Sequence, residues 1–322
     1  MEKHHMKLRT FLQTSLVALL VAMTGLVSAQ DSACLNLPAA DCEYVNTAAA
    51  NGAAAMTSSF QQDFTIDVVV SGVPDSDDLE FHLVGSGPVV ANEAAPGGVP
   101  LNFGATLDVN FNDGTTSDAG TLEARLVDGV FYFQDPSDGN KWKGVKIEDA
   151  MSMAQSNPMM PSAETFDPAS LGLDEATLSS VMALVEAEGF LDYSRDGETF
   201  TFTADVGALL KSGEWTKFST DIAPVLQQNP DTAQFAMILG VLPMILSDGT
   251  FKVVQVVDPA LNAVTELSIL IDGIVNAGMM SGDSAAAPIV LSIAFNVKVS
   301  DIGGAFTLEA PADAEMQEMP AN

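Results

Sequence analysis

Few groups in this sequence have the types and spacing that chemistry needs: two cysteines, one internal histidine, two acidic loops and two knots of methionine. Cys34 and Cys42 are the only cysteines, with seven residues between them. They lack C-x-x-C spacing and have no histidine nearby, so zinc and thioredoxin-type readings fail. His82 alternates with apolar residues beside Glu80, which places it on the wet side of a strand. No G-x-S-x-G, H-E-x-x-H or G-x-G-x-x-G motif occurs, and no nucleophile and base pair up. The expectation is a protein that is not an enzyme, with no cofactor. "PDSDDLE" (74–80) and "DPSDGN" (135–140) gather oxygen ligands as calcium needs, but neither fits the EF-hand pattern. Acidic turns of this kind are solvated by default, so no metal site is assigned. Met151, Met153, Met159 and Met160 share one stretch, and Met279 and Met280 another. Thioether clusters can bind Cu(I). The simpler reading is adaptable packing against greasy surfaces, which makes the first four a gate loop over an apolar cavity.

The compartment follows from the first thirty residues. Lys3, Lys7 and Arg9 precede the apolar run "FLQTSLVALLVAMTGLV", and "VSA" sets small residues before a cleavage point after Ala29. Residues 1–29 therefore read as a signal peptide, and the protein as exported to the periplasm, the cell envelope or the exterior. Without them nine basic residues stand against 42 acidic ones, a formal charge of −33. Such a surface repels nucleic acid and anionic membranes within a Debye length of ~8 Å at physiological salt. The longest later apolar run, "FAMILGVLPMILS" (235–247), has thirteen residues and a proline, so it reads as a buried helix. No transmembrane segment is expected after cleavage. Apolar content of 47% excludes disorder, and a mature chain of about 290 residues can bury a substantial core.

The elements that must position these groups are mostly strands. An alanine-rich stretch from Cys42 to about Ser59 predicts a helix weakened at Asn51-Gly52. "FTIDVVVS", "LEFHLVGS", "ATLDVNFND" and "GTLEARLVDG" then alternate with period two. Asn-Asp-Gly and Asp-Gly turns separate later pairs, so the strands are antiparallel with one apolar face. Residues 148–188 read as helix and loop, with a helix after Asp174. A hairpin with Asp196-Gly197 at its turn follows, then two helical stretches interrupted at Pro224 and Pro230. Strands resume at "TFKVVQVVD", "AVTELSILIDG" and "PIVLSIAFNVKVSDIG". Helices segregated to one side of a long antiparallel sheet make an α+β fold. Residues 30–312 form one domain, and 313–322 an acidic flexible tail.

Two stretches carry a resemblance. "LEARLVDGVFYFQDPSDGNKWKGVKIEDAM" (122–151) has a strand ending in Val-Asp-Gly, the aromatic strand Phe131-Tyr132-Phe133, and a return strand from Trp142. "VTELSILID" is followed by a long strand and "VSDIGGAFTLEAPADAE". Both resemble the LolA-type lipoprotein-carrier superfamily, in particular its LppX/LprG-type bacterial lipid carriers. The resemblance implies a curved antiparallel sheet, a half-barrel, with helices packed on its concave apolar face and a lipid or acyl chain held between them. Larger helical inserts and a far more acidic composition depart from that family. Lipoprotein members begin at a lipidated cysteine with Leu three positions earlier. Here Asp31 stands three before Cys34, so the protein is expected not to be lipid-anchored. An exported chain with two nearby cysteines is expected to join them as one disulfide, Cys34–Cys42.

These readings converge on an exported carrier that holds a lipid or other apolar ligand. Its apolar wall is assigned to Phe64, Ile66, Val68, Phe81, Leu107, Val109, Leu126, Ile269, Ile293 and Phe295. The alternative is a structural or interaction protein of the cell envelope, with a filled core and an acidic recognition surface.

Overall fold

The computed structural model describes residues 34, 36–73, 76–92, 101–135, 138–148, 189–228, 233–276, 278 and 287–317. Residues 1–29, expected as a signal peptide, Met151, Met153, Met159 and Met160, expected as a gate loop, the helix expected after Asp174, the expected break at Pro230 and the Met279-Met280 pair lie outside the described residues. In chain order the described elements are α1 (Ala39–Ala55), β1 (Phe60–Ser71), β2 (Leu79–Ala91), β3 (Leu101–Asn112), β4 (Ser117–Val127), β5 (Val130–Asp135) and β6 (Lys141–Lys146). They continue with β7 (Leu191–Asp196), β8 (Thr199–Asp205), α2 (Val206–Leu210), α3 (Gly213–Gln228), α4 (Ala233–Ile245), β9 (Leu246–Asp258), β10 (Ala263–Val275), β11 (Ile289–Ser300) and β12 (Glu315–Met316).

Period-two alternation and glycine turns build two meanders, β1 to β6 and β7 to β11. At the β4–β5 turn Asp128 and Gly129 both take positive φ, 51° and 75°, as a two-residue I′ hairpin requires. At the β3–β4 turn the Asp113 carboxylate accepts the Thr115 and Thr116 amides at 3.1 and 2.7 Å, an Asx turn. The last strand of the second meander, β11, pairs antiparallel with the first strand of the first, β1, in the register Phe64 to Val297. One open, mostly antiparallel sheet results, ordered β12-β6-β5-β4-β3-β2-β1-β11-β10-β9-β8-β7. Only β12 on β6 is parallel among the described pairs.

Cross-strand partners share a face, and the register carries one apolar face through every antiparallel ladder. Val68 meets Phe81, which meets Phe111, while Ile66 meets Leu83 and then Val109. On the other side Ile66 meets Phe295, then Ile269, then Val253 and Phe202. Glycines on β2 and β3 let this face close on itself. A Cβ on Gly85 would collide with the Phe64 ring, and one on Gly87 with the Gly104 carbonyl.

Helix α1 crosses this apolar face at its β7–β10 end. Val45 and Ala48 cluster with Tyr193, Phe200 and Val257. Asn51-Gly52, read from sequence as a weak point, is where the helix meets β10. A Cβ on Gly52 would stand 2.9 Å from the Val264 carbonyl oxygen, and Asn51 donates to the Asn262 carbonyl at 2.8 Å. Asp205 caps α2 by accepting from Ala208 N–H at 2.7 Å. Helices α3 and α4 share a small core of their own, with Ile222 and Leu226 against Phe218, Ala223 and Leu239. Helix α1 thus lies against the β7–β10 end of the sheet, while α3 and α4 pack on each other. Pro224, expected to interrupt the helix, sits inside α3; a helix can pass through proline at the cost of one hydrogen bond when packing supports it. The tail expected to be flexible adds β12, whose Glu315 and Met316 pair with Lys143 and Gly144.

Candidate functional site

All ten residues assigned to an apolar wall fall on one face of the sheet. They do so because each occupies an alternate position in a ladder whose register links it to the next: Leu126 to Phe103 on β3, Leu107 and Val109 to β2, Phe81 to Val68, Phe64 to Val297, and Ile293 and Phe295 to β10. Burial divides them. Phe64, Phe81, Leu107, Val109 and Leu126 are inside the largest core cluster, and Ile66, Val68 and Phe295 pack against it. Ile269 and Ile293 are only partly buried and belong to none of the apolar clusters of the described residues. Their neighbour Ile271 is 38% exposed. The apolar face is therefore filled over β1 to β4, and accessible along β10 and the adjoining part of β11.

The cystine closes the far end of that face. Cys34 and Cys42 are disulfide-bonded, with Cα atoms 5.6 Å apart. Their loop sets Asn36 against the outer edge of β7, the sheet's terminal strand. Its side-chain oxygen accepts Tyr193 N–H at 2.8 Å, and its amide donates to Asp192 at 2.7 Å. One asparagine thus occupies an edge position that another strand would take. The same end carries a charged stack. Arg195 pairs with Asp41 at 2.6 Å, and its guanidinium lies 4.7 Å from the Tyr44 ring centre and 5.1 Å from that of Phe200. Tyr44 donates to Glu198 at 2.6 Å, and that bond, with burial, holds its hydroxyl above the usual tyrosine pKa. Burial pushes up the Tyr193 hydroxyl, which meets Gln255 at 2.9 Å.

The opposite face carries the polar alternates, with Val69 and Val290, 40% and 43% exposed, among them. His82 lies there as its alternation requires, exposed and paired with Asp67 on β1 rather than with Glu80. Asp272 accepts from Ser292 at 2.6 Å, and Asn296 donates to Ser268 at 2.6 Å. Among the described residues, no group of three His, Cys, Asp or Glu side chains could hold a metal ion.

Sequence reading missed the β6 edge. Lys143 is 7% exposed and bonds Asp138 at 2.8 Å and Glu315 at 2.6 Å. Those two hydrogen bonds raise its pKa, outweighing the burial that lowers it. In turn Lys143 holds both carboxyls below the usual carboxylate range, with help from Lys141. Arg125 stacks 4.9 Å from the Trp142 ring centre and donates to the Glu309 carbonyl at 3.2 Å. The local concentration of basic residues in an acidic chain marked the strand, but not its partner Glu315, 172 residues away.

No family model and no curated protein sequence matches the chain. Among solved structures it is similar to LprF from Mycobacterium bovis, at 13% identity and a TM-score of 0.24, over 85% of this chain and 99% of that one. It is also similar to lipovitellin, in a structure described for its lipid–protein interactions, at 6% identity and a TM-score of 0.27. That match covers 79% of this chain and 26% of the other. Likeness at such scores carries no functional weight, and the reading below stands on the arrangement of the apolar face. No helix among the described residues is long and apolar enough to cross a membrane.

Proposed function

We propose that the protein is an exported, non-enzymatic carrier that holds an acyl chain or similar apolar ligand against the β9–β11 part of its apolar sheet face. In this reading the sheet curves as a half-barrel, α1 closes one end of the concave side, and the ligand lies beside Ile269, Ile271 and Ile293. The observation that carries it is the accessibility of these residues on a face whose other half is packed. Burying one methylene is worth ~0.8 kcal/mol, so a sixteen-carbon chain offers a gross gain on the order of 10 kcal/mol before ordering costs. Carriage of this kind needs no catalytic group, in keeping with the lack of a nucleophile–base pair in the sequence.

Native mass spectrometry of protein purified without detergent, with uptake of a fluorescent fatty acid, tests the reading. A mass adduct, and uptake lost in Ile271→Asp with the circular dichroism spectrum unchanged, are the expected results. A ligand-free mass with no uptake would overturn it. That outcome would favour a structural or interaction protein of the cell envelope, which the filled core around Leu107 and Leu126, 1% and 0% exposed, also suits.

A further inference from the structure

At the β6 edge the molecule already holds an extended peptide, and the peptide is its own. Four of the twelve Lys and Arg residues of the chain, Arg125, Lys141, Lys143 and Lys146, fall on β4 and β6, against 43 acidic residues overall. Glu315 meets two of them, Lys143 at 2.6 Å and Lys141 at 4.0 Å. The following residue, Met316, lies over Gly144. A Cβ there would stand 2.6 Å from the Met316 sulfur and 3.1 Å from the Tyr132 ring, so glycine leaves a notch that a thioether fills. Gly144 O then accepts Gln317 N–H at 2.8 Å. The seat reads three features at once: a strand backbone, a carboxylate, and a flexible apolar side chain after it. Its occupant is slight. β12 pairs with two of the six residues of β6, and Met316 is 50% exposed.

We propose that the outer edge of β6 is a strand-accepting site for an extended acidic segment of a protein partner, a carboxylate followed by an unbranched apolar residue, which the chain's own Glu315–Gln317 occupies in cis until displaced. The surface elsewhere carries a large excess of acid, and it repels such a segment. Lys141 and Lys143 share the face that Glu315 meets and, with Asp138 beside them, attract one there; Arg125 lies on the other face, with Gly144. A two-residue strand is among the least stable elements of a fold. A partner that pairs along more of β6 gains main-chain hydrogen bonds that the tail does not make.

The test uses the full chain and a fluorescent peptide of residues 311–317. In Glu315→Lys the tail is repelled by Lys143, and the peptide is expected to bind at least about tenfold more tightly than to the wild type. Adding Lys143→Gln to that variant should abolish the gain, as should a peptide with Gln in place of the residue 315 glutamate. Equal affinity for wild type and Glu315→Lys, or indifference to Lys143→Gln, would overturn the proposal. So would tail exchange between copies, seen as a dimer in ultracentrifugation with no peptide bound. If Glu315→Lys does not fold, hydrogen exchange of the wild type decides. Faster exchange at the Gln317 amide with added peptide carries the proposal, and unchanged exchange overturns it.

Discussion

The two halves of the apolar sheet face are written in the same alternation and end in different states. Over β1 to β4, Leu107 and Leu126 are 1% and 0% exposed, and the Phe64 ring fills the space where a Gly85 side chain would stand. Along β10 and β11 the same residue types, at the same spacing, leave Ile271 38% exposed and Ile269 and Ile293 partly buried. Alternation decides which way a side chain points. What it meets there is decided by neighbours far away in sequence. The filled half has glycines that let rings and backbones close in, and aromatic neighbours such as Phe103 and Phe131, with ring centres 6.3 Å apart. Among the described elements, the accessible half meets α1 at β10 and α2 at the start of β9.

Breaking this contrast should produce effects of graded size. Leu107→Ala in the filled half should cost about 2–5 kcal/mol in denaturant unfolding, the transfer term plus a cavity. Replacing Cys34 and Cys42 together by Ser should cost roughly 2.5 kcal/mol by the chain-entropy account of so short a loop. Hydrogen exchange should locate that loss at β7 to β10, sparing β1 to β6; equal loosening of both halves would dissolve the contrast. Asn36→Ala should cost about 1 kcal/mol and expose the β7 edge, measured as stronger self-association in ultracentrifugation. Ile271→Ala should change stability by no more than about 0.5 kcal/mol, as for an accessible side chain. A cost as large as that of Leu107→Ala would show that both halves are filled.

The pH dependence sharpens the comparison at the β6 edge of the filled half. Asp138 and Glu315 are held below the usual carboxylate range by Lys143. Their contribution is therefore full above the unfolded value of about 4 and lost as pH falls through the lower folded values. Lys143 is held above its usual value, so its contribution is full below about pH 10.4 and lost as pH rises through the raised value. Exchange at the Gln317 amide should be slow between these limits and accelerate beyond each.

Much of the sheet was legible. The strand runs, the Asp128-Gly129 and Asp196-Gly197 turns and the wall residues follow from period two and from residues that tolerate positive φ. All ten share one face, because register transmits alternation from strand to strand. The helices were less legible. Pro224 reads locally as a breaker, yet α3 runs through it. Asn51-Gly52 reads as a weak point, yet glycine is what the approach to β10 demands. The β6 edge was not legible, because Lys143 and Glu315 are 172 residues apart, and nothing local announces that they meet.

By itself, the sequence determined the alternation, the turns and the acidity, since each depends on neighbouring residues or on composition. Tertiary structure alone decided which half of the apolar face is filled and that Asn36 and Glu315 stand guard at opposite sheet edges. The two edge contacts join residues 157 and 172 positions apart, and their energies exist only once the chain has closed the loops between them.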